Sequence, residues 1–258
     1  MTAIAAEAPK LDIAKVIGAT FGVLGRNFVS FAGLTVLMVG VPTGILSLGL
    51  LQLVADPADI DFGLADFGLF VIGALVSVIT GAVLQGALVY GTVRDLNGAR
   101  ATFAECLAMG LRNFLPVILL SILMGLGLMV GFLLLIVPGV MLLVAWCVAV
   151  PVRVSEQTGL IEAFGRSAEL TRGNRWRIFG LMLLFLVLTW VVGALLTPLS
   201  LAAMTAGPQG MLLSQMINST VSGVINALIG ATGASVIYVE LKRLKEGLAP
   251  DALAALFD

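Results

Sequence analysis

Apolar residues in this chain run in stretches far longer than one face of a soluble helix, and the polar positions are gathered between them. A helix crossing about 30 Å of hydrocarbon needs roughly 20 apolar residues. Six stretches meet or approach that length: about 29–54, 67–93, 115–137, 139–152, 178–200 and 211–239. The third and fourth form one unbroken apolar run, Phe114 to Val152, too long for a single crossing. Val137-Pro138-Gly139 supplies the predicted turn, because Pro and Gly together break regular structure. Pro151 is placed to kink or end the fourth helix.

Ahead of three of these spans the pattern changes to a helical period with a polar face. Ile13, Val16, Ile17, Phe21 and Leu24 mark the first such segment; Phe103, Leu107 and Leu111 the second; Ile161, Phe164 and Ala168 the third. Thr102 and Glu105 form a T-x-x-E capping box that opens the second. Each segment leads into a related sequence: LGRNFVSFAGL (Leu24–Leu34), GLRNFLPVILL (Gly110–Leu120) and TRGNRWRIFGL (Thr171–Leu181). Aligned without gaps, they superpose Asn27, Asn113 and Asn174, with a small polar residue (Thr20, Cys106 or Ser167) seven positions earlier. Two apolar spans follow each copy. Two returns from the membrane also share a tyrosine and a charged tail, Tyr90-Gly-Thr-Val-Arg-Asp and Tyr238-Val-Glu-Leu-Lys-Arg.

The prediction is therefore an all-α integral membrane protein. Its six transmembrane helices form three hairpins, each preceded by a cytoplasmic amphipathic helix, in a threefold internal repeat. The chain is one polytopic domain with units at about 11–98, 99–158 and 159–247 and a tail at 248–258.

Composition agrees with membrane burial. The 258 residues are 60% hydrophobic and 11% charged, with a mean hydropathy of +1.12, where soluble domains carry about 25% charged residues. The first residues hold no apolar h-region before residue 28, so no cleavable signal peptide is expected and the first span should stay as a membrane helix. Every Lys and Arg falls in a terminus or in the second or fourth loop, whereas the first loop holds Asp56, Asp59, Asp61 and Asp66 and no basic residue. The positive-inside rule then puts both termini in the cytoplasm of a multi-pass protein of the bacterial inner (plasma) membrane.

The candidate chemistry is sparse. The chain has no histidine, which removes Ser-His-Asp and Cys-His systems and His-ligated metal sites. Cys106 and Cys147 are isolated, so neither a disulfide framework nor a metal site is expected. No enzyme activity, cofactor, metal or nucleic-acid partner is predicted. The interiors of the apolar spans hold no ionisable residue, which argues against ion or proton coupling. Gln215, Asn218, Ser219, Ser222 and Asn226 share one face of the sixth span. They could line a polar path or hydrogen-bond between helices at about 0.6 kcal/mol each; the second reading is favoured. Gly40 and Gly44, Gly73, Ser77 and Gly81, and Gly127 and Gly131 form small-residue stripes that let backbones approach.

The charged stretch Glu162–Arg177 stands apart. Arg166, Arg172, Arg175 and Arg177 precede the fifth span, with Trp176 among them. Trp flanked by Arg is a common interfacial anchor, and cytoplasmic Arg near anionic lipid contributes about 1 kcal/mol apiece. The start of the helix adds free backbone N–H groups for a phosphate. Two readings follow, a specific phospholipid head-group site or plain topological anchoring, and the anchor is favoured.

Residues 134–181 resemble the bacterial family known as the membrane domain of glycerophosphoryl diester phosphodiesterase. The resemblance rests on Pro138-Gly139, Trp146, Pro151, Ala163, Arg166-Ser167, Leu170-Thr171-Arg172-Gly173 and Trp176-Arg177. Ala145 departs from it, where the family often has a basic residue before the Trp. The resemblance implies a six-helix inner-membrane module and does not import the hydrolase, a soluble barrel that relies on His and acidic metal ligands. The expectation is a non-enzymatic protein that engages anionic phospholipid or a membrane-protein partner. An uncoupled transporter or permease, with its path along the sixth helix, is the competing reading.

Overall fold

The structure is a computed structural model that describes residues 10–40, 42–43, 64–204 and 207–247. In chain order the helices are α1 (Ile13–Arg26), α2 (Phe28–Thr35, continuing as a π-helical turn over Val36–Gly40), α3 (Leu64–Leu96), α4 (Phe103–Leu134), α5 (Ile136–Trp146), α6 (Ala149–Glu156), α7 (Leu160–Thr171), α8 (Arg175–Met204) and α9 (Gly207–Glu246). No strand occurs among the described residues. Five helical segments are long and apolar enough to cross a membrane: Val71–Leu96, Phe103–Leu134, Ile136–Glu156, Arg175–Ala203 and Leu213–Glu246. The pair Ile13–Arg26 and Phe28–Gly40, bent by 83°, is a sixth candidate if taken as one broken span. The far part of the predicted span 29–54 and most of the acidic first loop, including Asp56, Asp59 and Asp61, lie outside the described residues.

Proline sets the breaks, but not where the sequence pattern puts them. The turn between α4 and α5 is at Leu135, which is extended (φ −169°, ψ 155°), and Val137-Pro138-Gly139 is already helical. A proline ring in a helix clashes with the carbonyl four residues earlier, here Leu134, and the chain leaves the helix at Leu135, upstream of Pro138. In the first turn of α5 its missing N–H costs nothing. Gly139 instead permits close approach: a Cβ on Gly131 would lie 3.1 Å from the Gly139 Cα. The second break, at Cys147–Val148, sits one turn upstream of Pro151 for the same reason. Helix then resumes through α6 to Glu156, so the fourth span is longer than the predicted 139–152.

The amphipathic segments also differ from expectation. α1 and α7 are separate helices, but the second segment runs without a break into its span as α4. The three asparagines account for this. Asn27 donates to the Asp95 carboxylate at 2.8 Å, and the Asn174 side-chain oxygen accepts from the Leu11 N–H at 2.9 Å. Among the described residues, Asn113 bonds only within its own helix, to the Met109 carbonyl at 3.0 Å and to its sulfur. A tertiary partner holds the chain at two of the turns, and among the described residues none bonds to the asparagine at the third. The predicted capping box does form, with Thr102 and Glu105 each accepting from the other's backbone N–H.

The core is built around the carboxyl-terminal half of α9. Thr232, Ser235, Tyr238 and Leu241 are fully or almost fully buried, packed by α8, α3, α1 and α2. α3 and α4 approach most closely at glycine, where a Cβ on Gly110 would sit 2.3 Å from the Val83 carbonyl oxygen. Gly127 likewise accommodates the Trp146 ring. These contacts hold the end of the bundle where the charged residues collect.

Candidate functional site

A polar collar closes the end of the bundle formed by the last turns of α3, α6 and α9 and the first turns of α4 and α8. Its centre is Glu156, at the end of α6. One carboxylate oxygen accepts from Lys242 Nζ at 2.7 Å and from the Tyr238 hydroxyl at 2.9 Å, and the other faces Arg166 Nε at 3.4 Å. Arg166 also pairs with Glu169 and with Glu246, the last residue of α9. The Lys242 and Glu156 side chains are 6% and 14% exposed, low enough that loss of either partner would strand a desolvated charge.

A second cluster joins the α1–α2 bend to the end of α3. Asp95 accepts from Arg26 Nε at 3.1 and 3.3 Å, from its Nη2, and from Asn27. Around it, Lys15 pairs with Glu240 at 2.7 Å, and Arg243 donates to the Leu96 carbonyl at 2.9 Å. Arg94 hydrogen-bonds to Tyr90 and pairs with Glu105 at 3.2 Å. The two tails alike in sequence are thus alike in contact. Tyr90 and Arg94, and Tyr238 and Lys242, each form an i,i+4 pair in which the cation also lies over the ring.

The third cluster docks the amino-terminal end onto α8. Leu11, buried, donates through its N–H to Asn174 and accepts through its carbonyl from Arg177 at 2.6 Å. Thr20, Cys106 and Ser167 are all completely buried, and Asn27, Asn113 and Asn174 nearly so. Ser167 and Thr171 both donate to the Ala145 carbonyl, at 2.8 and 3.5 Å, next to the α5–α6 break. Trp146 stacks obliquely on Phe164 at 4.7 Å between ring centres. The motif residues Trp146, Ser167 and Thr171 therefore form the seat of α7.

The structure divides the arginine-rich stretch. Arg166 turns inward to carboxylates. Arg172 and Arg177 are exposed, Arg175 is half-buried, and Trp176 is 86% exposed beside them. Ile161 on α7 and Phe21, Phe28 and Val29 near the α1–α2 bend are likewise exposed at this end. The sixth-span face is split as well. Gln215, Ser219 and Asn226 are exposed, and Asn218 and Ser222 are half-buried. Asn226 donates to the Ser222 carbonyl and Ser222 to Asn218, so these residues are satisfied largely along their own helix.

Sequence reasoning did not single out Glu156, and it quoted Asp95 and Lys242 within the two charged tails without assigning either a partner. The one local signal was the tyrosine four residues before a cation in each tail. The carboxylates that complete the clusters lie 68 to 86 positions away from their partners. Among the described residues, no group of three or more Cys, Asp or Glu is placed to hold a metal ion.

A family model described as Domain of unknown function (DUF7847) matches residues 11–241. No curated protein and no solved structure matches the chain.

Proposed function

Since the chain belongs to this DUF7847 family, whose description names no activity, we propose a function from the collar and its exposed rim. The protein is a non-enzymatic multi-pass component of the bacterial inner membrane that engages anionic phospholipid head groups through its interfacial helices. The observation that carries this reading is the rim at the start of α8. There Trp176 stands 86% exposed beside exposed Arg172 and Arg177 and next to the exposed Ile161 of α7. An amphipathic ring at head-group level, with cations around it, is the arrangement that favours a bilayer interface over bulk water.

The collar supports the finer topology. Its basic residues gather at one end, which the positive-inside rule places in the cytoplasm together with both termini. The shared burial of Thr20, Cys106 and Ser167, and of the three asparagines, supports three related units. The likeness to the phosphodiesterase membrane domain runs through the same seat, Trp146, Ser167 and Thr171, and fits a module without its hydrolase. A permease with a path along α9 has less support, because Asn226 and Ser222 are turned to their own helix.

The test is Arg172→Gln with Arg175→Gln in the full chain, followed by measurement of anionic lipid that co-purifies in mild detergent. Bound anionic lipid should fall at least tenfold, as two interfacial charges contribute about 2 kcal/mol. Unchanged lipid content would overturn the head-group role.

A further inference from the structure

One turn beneath the collar lies a cavity of about 250 Å³, lined by residues of α3, α4, α6, α9 and the α5–α6 break. Ala234 lines it and lies one turn, about 6 Å, before Tyr238. Pro151 lines it too and lies just over one turn before Glu156. The space has a visible origin. Ser121, Gly125, Ala231 and Ala234 bring little side chain to it, and Pro151 forces the break that displaces the backbone at Cys147.

Its lining is mostly apolar and carries no charged residue; the polar groups in it are the Gln85 amide, the Ser121 hydroxyl, the Trp146 indole N–H and the Cys147 thiol. Gln85 lies within the long apolar helix α3, and its amide has no hydrogen-bond partner among the described residues. An amide at membrane depth is costly to leave unpaired. Ser121 and Gly125, on the exposed side of α4, form the rim, so the cavity opens sideways where α4 faces lipid.

We propose that this cavity is a lateral binding site for the ester region of a glycerolipid. The Gln85 amide donates to an ester carbonyl, and the acyl chain runs over Met124, Leu128 and Val150. An uncharged lining selects the ester and chain rather than a phosphate, and the cavity begins at Ala234 and Pro151, about one turn below the collar. The proposal does not rest on the arginine rim of α8, which is about head-group charge.

The experiment uses the full chain in lipid nanodiscs, with diacylglycerol and phosphatidylglycerol that each carry a photoreactive group near the ester end of one acyl chain. Crosslinks mapped by peptide mass spectrometry should concentrate at Ser121–Leu128 and Trp146–Pro151. Ala234→Leu and Ser121→Leu, which fill the cavity and its rim, should each lower that yield at least several-fold. Gln85→Leu, which keeps the volume and removes the donor, should lower it about fivefold. Labelling by both lipids identifies the shared ester region as the ligand, and labelling by diacylglycerol alone identifies a neutral-lipid site. The cavity assignment is overturned if crosslinks spread over exposed residues outside it such as Leu115 and Leu133. It is equally overturned if yields are the same in all three variants. Arg172→Gln should leave the cavity crosslinks unchanged while lowering head-group binding, so failure of either idea is told apart from failure of the other.

Discussion

Lys242 Nζ lies 2.7 Å from the Glu156 carboxylate, joining the end of α9 to the end of α6 across 86 residues of sequence. Both side chains are largely withdrawn from solvent, and Tyr238 completes the carboxylate's coordination. Removing one member of such a pair typically costs about 3–5 kcal/mol, chiefly because the other charge is left buried. Glu156→Gln or Lys242→Met alone should therefore lower the thermal unfolding midpoint in detergent markedly. The double variant should recover much of the loss. Simple addition of the two single effects would show that the pair is not coupled.

The asparagines separate by partner. Asn27 serves the Asp95 cluster and Asn174 holds the Leu11 backbone, whereas among the described residues Asn113 bonds only within α4. Asn174→Ala should cost about 1–3 kcal/mol, because the buried Leu11 N–H is left unsatisfied, and Asn27→Ala about 1 kcal/mol, because Asp95 keeps its bonds to Arg26. Asn113→Ala should cost clearly less. Equal losses at all three positions, measured by the same unfolding assay, would contradict the division.

These two clusters show what the sequence made legible. The apolar runs mark the helices, because a bilayer crossing demands length and composition that one stretch can display by itself. The capping box at Thr102 and Glu105 was equally local. The breaks at Leu135 and Cys147 were displaced from Pro138 and Pro151 because a proline acts on the carbonyl upstream of it rather than at its own position. Glu156 and Asp95 were not foreseen, since their meaning depends on Lys242 and Arg26, which no local pattern connects to them. The arginine stretch was visible as a unit, yet only the fold turns Arg166 inward and leaves Arg172 and Trp176 outside.

Glycine gives a sharper test of packing. A Cβ on Gly110 would meet the Val83 carbonyl oxygen at 2.3 Å, a backbone atom that cannot swing aside, whereas a Cβ on Gly165 in α7 meets nothing within 4 Å. Gly110→Ala should destabilise by about 1–3 kcal/mol through forced separation of α3 and α4. Gly165→Ala should be neutral or stabilise by up to about 1 kcal/mol through helix propensity. A stable Gly110→Ala variant would mean that the α3–α4 crossing is looser than the structure has it.

Orientation of the collar can be decided by labelling. Cys106 is buried beneath Phe31 and Gly91, so Cys106→Ala and Cys147→Ala give a background into which single cysteines can be placed. Arg100 is exposed on the α3–α4 connection at the collar end. Val137, 67% exposed, lies at the start of α5, at the far end of the α4 hairpin. If the positive end faces the cytoplasm, Arg100→Cys should react with a membrane-impermeant maleimide in inverted vesicles and not in intact cells. Val137→Cys should show the opposite preference. Reaction of Arg100→Cys in intact cells would place the collar outside, and with it the arginine rim of α8, away from the cytoplasmic leaflet whose negative surface potential attracts basic residues.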